Sequence, residues 1–240
     1  MFDFKPERHD LADFSSQALS ICGKSFIADQ SGALFWPGHK TLIVADLHLE
    51  KGSSFAARGQ MLPPYDTRQT LFKLAAAIDK FDADTIIALG DSLHDRDAAE
   101  RMAPADLDVL RIMQDDRRWI WVTGNHDPAL PPTLGGEVVD EIKLDGLTLR
   151  HAPRNLRTTH EIAGHLHPAA RLSVYGNSIR RPCFVGNGRR LVLPAFGAFT
   201  GGLNILDDAF LPLFGTDGLS VWMLGEEGLY PVASRQLKGD

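Results

Sequence analysis

Three short apolar runs in the first half of the chain each stop at a small polar cluster, and this repeated ending narrows the possible folds sharply. Residues 41–45 lead into Asp46-Leu47-His48, residues 85–89 into Gly90-Asp91, and residues 119–122 are followed by Gly124-Asn125-His126-Asp127. Runs of that length read as strands buried on both faces, as in a parallel sheet. Between the first two, Leu71, Leu74, Ile78 and Phe81 recur at helical spacing behind Asp66-Thr67-Arg68-Gln69, which reads as a capping-box helix start. Residues 105–113 form a second helical segment before the third strand. The order is βαβαβ, and such folds bind ligands at the carboxyl ends of their strands. The polar clusters stand at those ends.

Upstream, residues 25–46 read as three strands joined by turns at Asp29-Gln30-Ser31-Gly32 and at Pro37-Gly38, the latter a type II turn signal. Residues 51–65, rich in Gly, Ser and Pro, read as a loop. After Gly136 the pattern changes to short strands separated by Gly, Asn and Asp, with no helical period through Val232. An α/β half joined to a mostly antiparallel half predicts an α/β (α+β-like) fold: two packed β-sheets flanked by helices. With 240 residues and no repeat or low-complexity tract, the chain reads as one domain spanning 1–240.

Charged residues throughout positions 1–10 leave no apolar core for an export signal, and no apolar run reaches the roughly 18 residues of a membrane span. A cytoplasmic protein with no membrane partner is expected. Cys22 and Cys183 lie far apart without a CxxC pattern and read as buried small hydrophobes. The net charge of −6 argues against coating nucleic acid by charge alone. Its distribution is uneven. Residues 150–190 hold eight arginines, no lysine and Glu161 as the only acid, a balance of +7, so the remainder carries −13. That segment is either a set of solvated strand ends or a phosphate-facing surface, with Arg154 and Arg157 nearest to His151.

Two more polar clusters occupy the second half: His151 closes the apolar strand at 147–150, and Gly164-His165-Leu166-His167 ends a short strand. In extended backbone residues i and i+2 face the same way, which predicts that Asp46 acts with His48 and His165 with His167. Taken singly, each cluster is an ordinary turn, cap or core histidine. Taken together they hold six of the nine histidines, leaving His9, His39 and His160 to surface or core.

The ordered pattern D-x-H, GD, GNHD, H, GHxH over roughly residues 41–170 resembles the calcineurin-like metallophosphoesterases. The longer segments Asp46-Leu47-His48-Leu49-Glu50-Lys51-Gly52, Leu89-Gly90-Asp91-Ser92-Leu93-His94-Asp95, Gly164-His165-Leu166-His167-Pro168 and Leu193-Pro194-Ala195-Phe196-Gly197-Ala198-Phe199-Thr200-Gly201-Gly202 are similar to the bacterial DNA-ligase-associated metallophosphoesterases. The resemblance implies a metal-dependent phosphodiesterase or endonuclease in DNA repair, linked to a ligase and a helicase. Its substrate would be DNA or a nucleotide phosphodiester, attacked in line by a hydroxide bridging two divalent cations. It further implies that Asp46, His48, Asp91 and His167 hold one cation and that Asp91, Asn125, His151 and His165 hold the other. Ligands of N and O without thiolate suit Mn, Fe, Zn, Ni or Co, and the likeness favours Mn. His126 would be the general acid or an electrostatic partner for the leaving oxygen, with Asp127 orienting its imidazole.

His94 is either a helix-start residue or, as in the similar arrangement of Mre11-type nucleases, a neighbour of the scissile phosphate. Arg58 belongs to a connection that can also form a substrate rim. Phe196 and Phe199 beside Gly201 and Gly202 read as a buried strand and turn, or as a stacking platform for a base. Two alternatives to DNA cleavage are a phosphodiesterase or pyrophosphatase on a small nucleotide, and a non-catalytic scaffold on the same fold.

Overall fold

The computed structural model describes residues 15–60, 62–63, 65–156, 159–215 and 218–240. The first sheet runs in sequence order: β1 Ser16–Ile21, β2 Lys24–Asp29, β3 Leu34–Trp36, β4 Thr41–Val44, β5 Thr85–Leu89, β6 Arg118–Val122 and β7 Glu137–Val139. Strands β4 to β7 are parallel, so their carboxyl ends share one edge; β1 to β4 form an antiparallel meander. Crossovers in the first half carry α1 Lys51–Ala57, α2 Asp66–Phe81, α3 Ala98–Arg101 and α4 Pro104–Gln114.

The second sheet contains β8 Glu141–Leu144, β9 Leu147–Arg150, β10 Glu161–Ala163, β11 Pro168–Val174, β12 Asn177–Gly186, β13 Arg190–Val192, β14 Leu203–Asn204, β15 Ser220–Leu224 and β16 Leu229–Val232. Within it β9, β10 and β13 are parallel. The short helix α5, Leu211–Phe214, lies in this half.

Strand periodicity sorts the core into layers, because successive side chains point to opposite faces. Leu42, Val44, Ile86 and Ala88 join the cluster that contains Leu71, Leu74 and Ile78 of α2 and Leu110 and Met113 of α4. Their neighbours Ile43, Ile87 and Leu89 join Leu149, Ile162 and Leu191 of the second sheet. A third cluster packs Val185, Val192 and Val221 against Phe210, Leu213 and Phe214. The expected two-sheet sandwich with flanking helices is therefore the fold.

Several local expectations are corrected. Residues 51–57 are helical rather than loop, because Glu50, in the left-handed region at φ 66°, precedes a turn anchored from α2: Gly52 N–H donates to Asp66 Oδ2 at 3.0 Å. The same bond corrects the capping box, since Asp66 lies inside α2 and Tyr65 precedes the helix without a side-chain cap. At Pro37-Gly38 the chain makes a 3₁₀ turn rather than a type II turn, and Lys40, at φ 44°, is the left-handed residue. Strand β1 and the short α3 and α5 were not visible as periodic runs. Cys183 is buried, but Cys22 is half-exposed. Phe196 is buried under α2, with Lys73 Nζ 3.9 Å from its ring centroid, so no base can stack on it, whereas Phe199 is half-exposed.

The arginine-rich segment is not one free surface. Arg150 pairs with Glu141, Arg171 and Arg180 with Asp240 at 3.9 and 3.5 Å, and Arg181 with Glu226 at 2.6 Å. Arg154 approaches Glu141 at 3.7 Å, while Arg157 lies outside the described residues. Arg190 is only 1% exposed and forms an ion pair with the fully buried Glu161, Nε to Oε1 at 2.7 Å, although the angle falls outside hydrogen-bond geometry. Its Nη2 donates to the carbonyls of Arg154 and Leu156 at 2.6 and 2.8 Å, pinning the chain that follows His151. Burial raises the Glu161 carboxyl, and Arg190 partly offsets that. Replacing Glu161 by Gln would leave a buried guanidinium uncompensated, so Glu161→Gln is expected to cost about 3–5 kcal/mol in urea unfolding. A loss well under 1 kcal/mol would mean that the pair is not held buried in solution.

Candidate metal centre and active site

The polar clusters meet because the loops beyond β4 and β5 remain hydrogen-bonded to each other after the strands end. Asp46 N–H donates to Gly90 O at 3.2 Å, His48 N–H to Asp91 O at 2.9 Å, Leu49 N–H to Ser92 O at 2.9 Å and His94 N–H to Leu49 O at 2.9 Å. Asp127, arriving from β6, locks this arrangement. Its buried carboxylate accepts N–H groups from Asp91 at 3.0 Å, Ser92 at 2.7 Å, Leu93 at 3.0 Å and Gly124 at 3.0 Å. Burial outweighs these bonds and pushes the Asp127 carboxyl up to about 6.

Backbone conformation, not strand alternation, aims the side chains. Asp46, His48, Asp91, His165 and His167 all have left-handed φ, between 45° and 71°. Non-glycine residues reach that region at a cost of about 1 kcal/mol or more each, and such residues gather at functional sites. The i, i+2 pairing of Asp46 with His48 thus holds as proximity but not for the reason of extended backbone. His165 and His167 separate, each turning to a different group of partners. Space is as restricted as conformation. A Cβ on Gly124 would lie 2.2 Å from Asp91 N, and one on Gly90 would lie 2.5 Å from the His151 ring.

Two groups of acceptor atoms result, with Asp91 between them. In the first, His48 Nε2 and His167 Nε2 are 3.3 Å apart, His167 Nε2 is 3.5 Å from Asp46 Oδ1, and His48 Nε2 is 3.9 Å from Asp91 Oδ2. In the second, His151 Nε2 lies 2.9 Å from Asn125 Oδ1, 3.1 Å from His165 Nδ1 and 3.4 Å from Asp91 Oδ1. The ligating atoms of Asp46, His48 and His167, and separately those of Asp91, His151 and His165, are close enough to hold one cation per group.

Protonation fits cations better than hydrogen bonds. His151 Nδ1 faces the Leu89 carbonyl at 3.0 Å. A carbonyl only accepts, so Nδ1 carries a proton, and in the uncharged tautomer that this selects Nε2 presents a lone pair. Even a proton supplied by His165 satisfies one of its contacts and leaves the two oxygens facing that lone pair. Burial, followed by the charges of His167, His126, His94 and Lys51, holds His48 down at about 2, so its ring is neutral at physiological pH. Burial likewise lowers His165. At His167 burial acts downward too, but the hydrogen bond and charge of Asp46 outweigh it and raise the ring. Imidazole nitrogens, carboxylates and an amide oxygen form a donor set for a divalent cation of the Mn to Zn series.

His126 stands at the open side. Its backbone N–H donates to Asp91 Oδ1 at 2.8 Å, its Nδ1 faces the His94 carbonyl at 2.7 Å, and its Nε2 lies 4.0 Å from Asp91 Oδ2. The expectation that Asp127 orients this imidazole is corrected: the His94 carbonyl does so, and Asp127 holds backbone. The rings of His94 and His126 stack at 5.4 Å, and burial lowers His94 to about 4. Arg58 is exposed at the end of α1, and Arg154 is exposed near Glu141. Sequence reasoning missed the carbonyls of Leu89 and His94, since a backbone acceptor leaves no residue-type signal. It also missed the Glu50–Thr67 contact at 2.8 Å that seats α1 beside the site.

A family model described as calcineurin-like phosphoesterase matches residues 39–194, and the chain belongs to that family. It is a metal-dependent phosphoester hydrolase. Among solved structures, Pseudomonas putida nuclease MPE is similar with a TM-score of 0.71 and 31% identity, over 90% of this chain and 100% of that one. The E. coli phosphoesterase Yfce is more distant, with a TM-score of 0.41 and 15% identity over 80% of this chain and 98% of that one. No curated protein matches the sequence significantly. Among the described residues no helix is long and apolar enough to cross a membrane.

Asp127→Asn would turn an amide NH₂ toward N–H donors. It is expected to cost about 2 kcal/mol of stability, read by thermal or urea unfolding, and to lower metal occupancy through Asp91. Unchanged stability together with full metal content would show that the carboxylate does not hold these loops.

Proposed function

We propose that this protein is a nuclease-type phosphodiesterase that hydrolyses phosphodiester bonds in nucleic acid, in DNA repair as the family likeness implies. One observation carries the reading: two acceptor groups share Asp91, and His126 stands beside them on the open side. Similarity to Pseudomonas putida nuclease MPE, over the whole of its length, supports the choice of substrate. Asp46, His48, Asp91 and His167 hold one cation, and Asp91, Asn125, His151 and His165 the other. Two divalent cations, Mn by family likeness, supply Lewis acidity and a nucleophile from water at neutral pH.

The side chains have separate tasks. Asp91 sets the spacing between the two groups, and its Oδ1 also accepts the His126 N–H, so the acid and the centre move as one unit. With Nδ1–H donated to the His94 carbonyl, the His126 ring directs Nε2 toward the substrate, where it gives a proton to the leaving oxygen. His94 stacks behind it and limits its rotation.

Internal pairing of the arginines between 150 and 190 favours a second reading, in which the substrate is a small nucleotide diester needing no extended basic surface. Hydrolysis of bis-p-nitrophenyl phosphate, a nucleoside monophosphate, and single-stranded and duplex DNA by the metal-loaded protein separates the two. Activity on the small diester with none on either DNA establishes the second.

Asp91→Asn is expected to impair both cation positions together, as elemental analysis would record; two retained equivalents with full turnover refute the shared position. His126→Ala is expected to leave metal content intact and lower turnover by about 10² to 10⁴. The loss should shrink for nitrophenolate leaving groups, which need less protonation. Equal losses on good and poor leaving groups would assign His126 a role other than acid.

A further inference from the structure

Helix α1 presents Lys51, Phe55 and, at its closing residue, Arg58 at positions i, i+4 and i+7, which lie on one helical face. This face continues the active-site wall. Lys51 Nζ is 6.0 Å from the Phe55 ring centroid, Phe55 is 5.9 Å from His94, and His94 is 5.4 Å from His126. The charges of both Lys51 and Arg58 reach His94. Among the described residues neither cation is paired with a carboxylate; Asp66, the acid felt by Lys51, spends an oxygen on Gly52 N–H at 3.0 Å. Across the site Arg150 and Arg154 share Glu141.

The face is also held firmly. Glu50 N–H donates to Thr67 Oγ1 at 2.7 Å, that hydroxyl donates to Glu50 Oε1 at 2.8 Å, and Arg101 Nε donates to Ser53 Oγ at 3.0 Å. A half-exposed aromatic ring between two unneutralised cations on a fixed helix suits a strand whose bases are free to stack and whose phosphates are regularly spaced. Bases inside a duplex offer no free face to the ring.

Resting on the nuclease reading, we infer that the Lys51–Phe55–Arg58 face is the subsite for nucleotides flanking the scissile phosphate of a single-stranded polynucleotide. Phe55 stacks a base, and Lys51 and Arg58 hold neighbouring phosphates. Small diesters reach the cations and His126 without touching this face.

The test measures kcat and KM of the metal-loaded protein on oligothymidylate and on bis-p-nitrophenyl phosphate, for wild type, Phe55→Leu and Lys51→Ala/Arg58→Ala. Phe55→Leu is expected to raise KM for oligothymidylate about tenfold, within the range for losing one stacked base, with kcat little changed. The double variant is expected to flatten the slope of log kcat/KM against log salt by about 1.4, two single-strand phosphate contacts. Both losses should exceed those on the small diester by about tenfold. Melting temperatures control for folding, and Lys51→Gln/Arg58→Gln replaces a double variant that unfolds. Equal losses on both substrates, or an unaltered KM and salt slope on oligothymidylate, overturn the inference while leaving the nuclease reading intact. Wild-type cleavage of duplex alone also overturns it. Wild-type cleavage of the small diester and of no polynucleotide defeats the nuclease reading itself.

Discussion

The side chains at the centre can converge only because three loops are tied to one another instead of to water. Asp127 supplies that tie. A single buried carboxylate accepts four backbone N–H groups, three from the loop after β5 and one from the loop after β6. The loop after β4 joins through its own amides, which donate to carbonyls of Gly90, Asp91 and Ser92. Without these bonds the acceptors of Asp46, Asp91 and the histidines would separate under mutual repulsion and regain hydration. The scaffold therefore holds a constellation that is unfavourable by itself and that a divalent cation stabilises.

Conformation adds to that tension. Five ligand candidates occupy left-handed backbone, where L residues are normally sparse, and the surrounding hydrogen bonds keep them there. Glycines then serve as clearance as much as hinges. Gly124 lies against the Asp91 backbone, and Gly90 lies under the His151 ring, so neither position admits a Cβ without displacing a proposed ligand. The motifs carry glycine because the centre is packed that closely.

Charge is distributed less simply than counting residues suggests. Most of the arginines between 150 and 190 stabilise the second sheet and its loops, and Arg190 reaches two carbonyls just past His151. They organise the backbone behind the site. The cations beside His94, without a carboxylate partner among the described residues, come from α1 and the residue that closes it, in a segment whose composition reads as loop. Its helicity depends on contacts with Asp66 and Thr67, residues of a different helix.

What the sequence by itself determined is the part carried by local pattern. Continuous apolar runs at β4, β5 and β6, the helical spacing of Leu71, Leu74 and Ile78, and polar clusters at the strand ends place the α/β layers and the edge on which the site lies. The candidate ligands Asp46, His48, Asp91, Asn125, His151, His165 and His167, whose side chains the fold brings together, were legible as candidates because side-chain type and order mark them. Tertiary structure alone decided which residues serve orientation. A carbonyl such as Leu89 O or His94 O has no distinguishing residue type, and an aspartate such as Asp127 takes its role from whichever donors surround it. An arginine likewise becomes a core strut or a free cation according to whether the fold brings it a carboxylate. Those outcomes depend on contacts between residues distant in the chain, and local sequence pattern does not encode them.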